Sequence, residues 1–141
     1  MKKTAVLMIL LLLPVGCATL AARSRMQKFG LISESFERAL RTSDYMEAAK
    51  YVDPSAAVPR PDFQKLRNYK IVAYKVTRVH VSDHKQKITQ DVELQYFRLN
   101  GTILHSTPYS PIWRFLPEKE VWLLQTGLPD FDPHPQHPRR R

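Results

Sequence analysis

Apolar positions recur at three- and four-residue intervals between residues 29 and 54, and at every second position from Tyr69 onward. In the first stretch Phe29, Ile32, Phe36 and Leu40 form one stripe, widened by Leu31 and Ala39, with Glu34, Glu37, Arg38 and Arg41 outward. That spacing predicts an amphipathic helix. Thr42 and Ser43 break it. Asp44 is placed to cap a second helix, with Glu47 as the return partner of a capping box and Tyr45, Ala48, Ala49 and Val52 as the buried face. Asp53-Pro54 ends this helix, because a residue before proline avoids helical geometry. Residues 55–61 read as a proline-punctuated link, and Phe63 and Leu66 anchor a short turn or helix.

The alternating part predicts strands. Val72, Tyr74 and Val76 lie on one side, and Val79 and Val81 continue out of phase. A slip of one residue is what a β-bulge near Thr77-Arg78 produces. Ile88, Val92, Leu94 and Tyr96 make the next strand, with Thr89, Asp91, Glu93 and Gln95 opposite. Asn100-Gly101 predicts a two-residue hairpin turn. Thr102–Tyr109 returns, Pro108 and Pro111 mark a break or edge, and Trp113, Phe115 and Leu116 follow. Pro117–Glu120 is a turn before a last strand over Val121–Thr126. The fold class is α+β: N-terminal helices packed on a curved antiparallel sheet of about four strands. Two helices are the only cover for that sheet, so at least one of Trp113 and Trp122 is expected to be buried against Phe29, Ile32 and Phe36.

The N-terminus stands apart. Met1-Lys2-Lys3-Thr4 precedes eleven nearly uninterrupted apolar residues, Ala5 to Val15. A basic start with so short an apolar run predicts a secretory signal, since a spanning helix needs about 20 apolar residues. Leu13-Pro14-Val15-Gly16-Cys17 resembles the lipobox of bacterial lipoproteins, with Leu13 one place earlier than the family's leucine. That resemblance implies cleavage before Cys17 and diacylglycerol attachment to it, with palmitate-type acyl chains holding the protein to a membrane. Ala18 replaces the aspartate that signals inner-membrane retention, which implies the outer membrane, facing the periplasm, in a Gram-negative host. Ordinary cleavage after Ala21, with an incidental cysteine, is the alternative. Cys17 is the only cysteine, so no internal disulfide can form.

The chain of 141 residues therefore divides into a signal over 1–16, a tether over 17–27, one domain over 28–131 and a Pro/His/Arg tail over 132–141 expected to be disordered. Removing Lys2 and Lys3 with the signal lowers the net charge from +9 to +7, and Arg139, Arg140 and Arg141 supply three of those. So modest a charge on the domain argues against a nucleic-acid partner. The expected partners are the membrane, through the anchor, and either another envelope protein or an apolar small molecule.

The helical pattern Phe36-x-x-Ala39-Leu40, Asp44-Tyr45-x-x-Ala48-Ala49-x-x-Val52-Asp53-Pro54, together with Val92-x-Leu94-x-Tyr96, Trp113-x-Phe115 and Val121-Trp122-x-Leu124, resembles the nuclear transport factor two-like (NTF2-like) superfamily over roughly residues 28–131. The resemblance implies a cone-shaped α+β fold, which in that superfamily's isomerases, dehydratases and cyclases encloses a carboxylate or histidine in an apolar cavity. His80, His105, Asp91 and Tyr96 lie on predicted strands, but none aligns with a catalytic motif of the superfamily, so no catalytic residue is assigned. Tyr74, Tyr96, Trp113 and Trp122 are the candidate pocket-lining residues, although strand aromatics more often pack a core. His134 and His137 with Asp132 have no preorganised fourth ligand, so neither metal nor other cofactor is expected. The chain lacks a glycine-rich phosphate loop, a nucleophile elbow and a metalloprotease helix. The resulting expectation is a lipid-anchored envelope protein with a non-catalytic binding or interaction domain. The alternatives are a small-molecule enzyme of the isomerase or dehydratase type and an envelope assembly factor.

Overall fold

The computed structural model describes residues 15–82 and 84–131. Residues 1–14, most of the expected signal, and the tail, with His134, His137 and Asp132, lie outside the described residues, whereas Val15 and Gly16 open α1. The elements are α1 (Val15–Arg41), α2 (Tyr45–Ala49), α3 (Phe63–Leu66), β1 (Tyr69–Val81), β2 (Lys87–Arg98), β3 (His105–Tyr109), β4 (Ile112–Leu116) and β5 (Val121–Leu124). The fold is α+β, as expected, with α1 packed on an antiparallel sheet.

Helix α1 begins well before Phe29, so residues 17–27, read from the sequence as a tether, are its first turns. Phe29, Phe36, Ala39 and Leu40 are buried on the sheet. Leu31 is exposed, contrary to the sequence expectation. Two residues on from Phe29 it points about 200° away at 3.6 residues per turn. The helix ends as the Thr42-Ser43 break predicts. Ser43 takes φ 62°, while Asp44 N–H donates to the Ala39 carbonyl and Ser43 N–H to that of Leu40, a Schellman closure. Asp44 caps α2 by accepting from the Glu47 N–H at 3.0 Å. The return half of the capping box is absent, because the Glu47 carboxylate pairs with Lys50.

Strand β2 is the centre of the sheet. It pairs with β1 along one edge. Along the other edge it pairs first with β4 and then with β3. β3 and β4 are thus two halves of one returning stretch, bent at Ser110-Pro111. This break gives five strands where about four were expected. Pro111 is fully buried, and its carbonyl accepts from the Gln90 N–H across the corner. β5 pairs with β4 through the Pro117–Glu120 turn, where Glu120 takes φ 51°.

The predicted bulge at Thr77 is present, and a second one lies at Val72. The second reverses the start of β1, so Tyr69 and Ile71 are buried and Val72 is exposed. The Asn100-Gly101 turn does not form as predicted. Gly101 N–H closes a turn on the Arg98 carbonyl, and no glycine takes a positive φ among the described residues. The cause is unequal pairing: β1 holds β2 as far as Arg98, whereas β3 joins it only from Tyr96 backward. A longer loop therefore connects β2 to β3. Among the described residues no helix is long and apolar enough to cross a membrane.

Candidate functional site

The helix-covered face of the sheet is filled by aromatic side chains. Trp113 is completely buried and meets Phe29 and Phe36 edge-on, with ring centroids 5.9 and 5.3 Å apart. Trp122 packs on Phe29 at 5.2 Å and donates its indole N–H to the Arg25 carbonyl. The sequence predicts that at least one tryptophan is buried under α1, and both are. The Trp113 indole N–H donates to the side-chain oxygen of buried Gln90 at 3.2 Å. Sequence reasoning passed over Gln90, although it shares the even-numbered, inward parity of Ile88 and Val92.

The four candidate pocket residues do not converge on one cavity. Trp113 and Trp122 are joined through Phe29. Tyr96 lies at the other end of the sheet, where it packs with Tyr69 and Phe131 and donates its hydroxyl to the Phe131 carbonyl. Tyr74, opposite Leu94, lies near Tyr109 and Glu37. Burial pushes both phenols far above the ordinary tyrosine range. The Glu37 charge adds to the effect on Tyr74, and Tyr74 to that on Tyr109, while the Thr126 hydroxyl partly opposes the shift of Tyr109. Tyr109 also donates to the Gly127 carbonyl at 3.0 Å.

His80 and His105 do not meet. They lie on strands flanking β2 on opposite sides, His80 opposite Thr89 and His105 opposite Tyr96. Both are exposed, and His105 stacks on the Tyr96 ring. Asp91 faces outward and pairs with Arg78 at 3.7 Å. No group of three metal-ligating side chains exists among the described residues. Cys17 is exposed on the first turns of α1.

A cleft does form where two irregular segments face each other. One wall is the proline link, Pro59 to Asp62, with Leu66 behind it; the other is Gly127 to Phe131. This part encloses about 360 Å³. A second lobe of about 370 Å³ reaches toward Ala49, Val52 and Ala56 and shares Pro59, Arg60, Pro61, Gly127 and Leu128. The acids along it are engaged. Asp62 caps α3 through the Gln64 and Lys65 N–H groups, and Asp130 pairs with Lys65 at 3.0 Å. Asp53 accepts from the Ser55 hydroxyl and N–H and from the Gln125 amide, and these bonds hold its carboxyl below the usual carboxylate range. Among the described charged residues of the cleft, Arg60 alone has no ion-pair or hydrogen-bond partner. No sequence signal pointed to this cleft, whose walls are separated by more than sixty residues of chain.

Comparison with known proteins yields similarity in structure alone. No family model and no curated protein matches the sequence. One similar solved structure is a candidate dehydratase of the NTF2-like family from Streptomyces avermitilis: 15% identical, covering 74% of this chain and 93% of that one, with a TM-score of 0.48. Another is a candidate polyketide cyclase from Xanthomonas campestris pv. campestris: 10% identical, covering 72% and 87%, with a TM-score of 0.48.

Proposed function

We propose that this chain is a lipid-anchored protein of the cell envelope whose NTF2-like domain binds a ligand or partner rather than catalysing a reaction. Cys17 is the anchor point, and in a Gram-negative host the domain faces the periplasm from the outer membrane. Cys17 and its neighbours from Gly16 to Ala21 are exposed, so the start of α1 stands clear of the domain. Arg25, whose carbonyl receives the Trp122 indole N–H and whose guanidinium lies over Phe115, is eight positions on from Cys17, or about 12 Å of helix. In this reading α1 is both stalk and core helix.

The observation that carries the non-catalytic reading is the packing around Trp113. An enzyme of the cone type needs a chamber on the helix-covered face, and here an indole with its N–H already bonded to Gln90 occupies that place. The small-molecule enzyme alternative requires Trp113 to leave it.

The anchor is tested by expressing the chain and its Cys17→Ser variant in an envelope-bearing bacterial host. The wild type is expected in the membrane fraction, with an N-terminal cysteine carrying the mass of its acyl chains. The variant is expected to stay uncleaved or become soluble. Normal cleavage with retention of Cys17→Ser in the membrane contradicts the anchor.

A further inference from the structure

We propose that the cleft between the 59–62 link and the 127–131 segment binds a small amphipathic carboxylate, its apolar body on Leu66, Leu128 and Pro129 and its carboxylate on the Arg60 guanidinium. The inference rests on reading the domain as a binding module and does not depend on the anchor at Cys17.

The walls of the cleft are rigid. Pro59, Pro61 and Pro129 fix their own φ angles, so the walls lose little freedom when a ligand enters. Each wall is also tied to the domain. The Asp53 carboxylate holds the start of the link to Gln125, and the Asp53 N–H donates to the Leu124 carbonyl at 2.8 Å. The Tyr109 and Tyr96 hydroxyls hold the opposite wall at the carbonyls of Gly127 and Phe131. The Lys65–Asp130 pair joins the two sides. A half-enclosed, preformed apolar cleft of this volume is within the range of small-molecule sites.

Charge along the cleft singles out Arg60. Asp62, Asp130 and Asp53 already have partners, and the only lysine is paired. Arg60 lines both lobes and is the one charged side chain without a partner among the described residues of the cleft. A planar guanidinium with parallel donors matches a carboxylate in two-point geometry. Apolar walls with one cation whose donors are unoccupied at the rim suit a molecule with an apolar body and a single anionic end, which Arg60 can hold although Asp53 and Asp62, bonded to neutral donors, keep their charge.

The test uses the full chain, methyl-labelled at valine and leucine, in phosphatidylcholine nanodiscs. Its probes are 4-phenylbutyrate and the corresponding neutral amide. The acid is expected to shift the methyls of Val58, Leu66 and Leu128 saturably and to leave those of Val72 and Val79 unmoved. Arg60→Gln, at an exposed position, is expected to weaken the acid about fivefold and leave the amide unchanged. Added salt is expected to weaken the acid alone. Unshifted cleft methyls, or equal response to acid and amide, overturn this inference while leaving the binding-module reading intact. Saturable shifts of the interior Val92 and Leu94 methyls instead overturn this inference by placing the ligand under α1, and with it the packed core on which the non-catalytic reading rests.

Discussion

The indole N–H of Trp113 donates to the side-chain oxygen of Gln90 from the neighbouring strand, with both residues buried beneath α1. This polar pair, set among Phe29, Phe36 and Ile88, fixes how the largest side chain of the interior lies. A buried donor stripped of its acceptor costs about 1–3 kcal/mol. Gln90→Met keeps the length of the side chain and removes the acceptor. It is expected to lower stability by that amount in urea, with an unchanged slope. A neutral Gln90→Met would show that the indole is hydrated in the native protein.

Asp53 ties the segment after α2 to β5 through its N–H, which donates to the Leu124 carbonyl, and its carboxylate is stabilised by Ser55 and Gln125. Its folded value lies below its unfolded value of about 3.9. The stabilisation is therefore complete above that unfolded value and is lost as pH falls through the lower, folded one. Asp53→Asn is expected to cost about 1–3 kcal/mol at pH 7. The gap between the two proteins should narrow at pH values below about 3.9. Urea midpoints at neutral and acid pH measure this, and a constant gap would contradict it.

Tyr109 behaves in the opposite direction. Burial raises its phenol above the unfolded value of about 10, so its contribution is complete below that pH and is lost as pH rises toward the folded value. Tyr109→Phe is expected to be less stable at pH 7 by about 1 kcal/mol, through loss of the bond to the Gly127 carbonyl. It is also expected to lose stability less steeply above pH 10. Phenolate absorbance during an alkaline titration checks the cause, because the buried tyrosines should ionise together with unfolding.

Much of the fold was legible because it follows from period. The Phe29–Leu40 stripe, the Thr77 bulge and the Pro117–Glu120 turn each leave a local mark in the chain. Leu31 and Val72 were misassigned because hydrophobicity alone does not fix the face: one lies off the helical stripe, and the other sits at a bulge that an apolar neighbour, Ile71, conceals. The Asn100-Gly101 signal was overruled by the extra pairing of β2 with β1. The cleft left no trace, since an arginine in a proline link reads as solvated loop. Its significance comes from long-range folding that supplies partners to every nearby acid and none to Arg60.

The central claim is that the helix-covered face of the sheet is a packed core and that binding takes place outside it. Acrylamide quenching of the two tryptophans tests this most directly, because acrylamide is small enough to enter a ligand chamber beside Trp113. Blue-shifted emission and almost no quenching are expected in the native protein, with full quenching in urea. Native emission that is red-shifted and readily quenched, for both indoles, would contradict it.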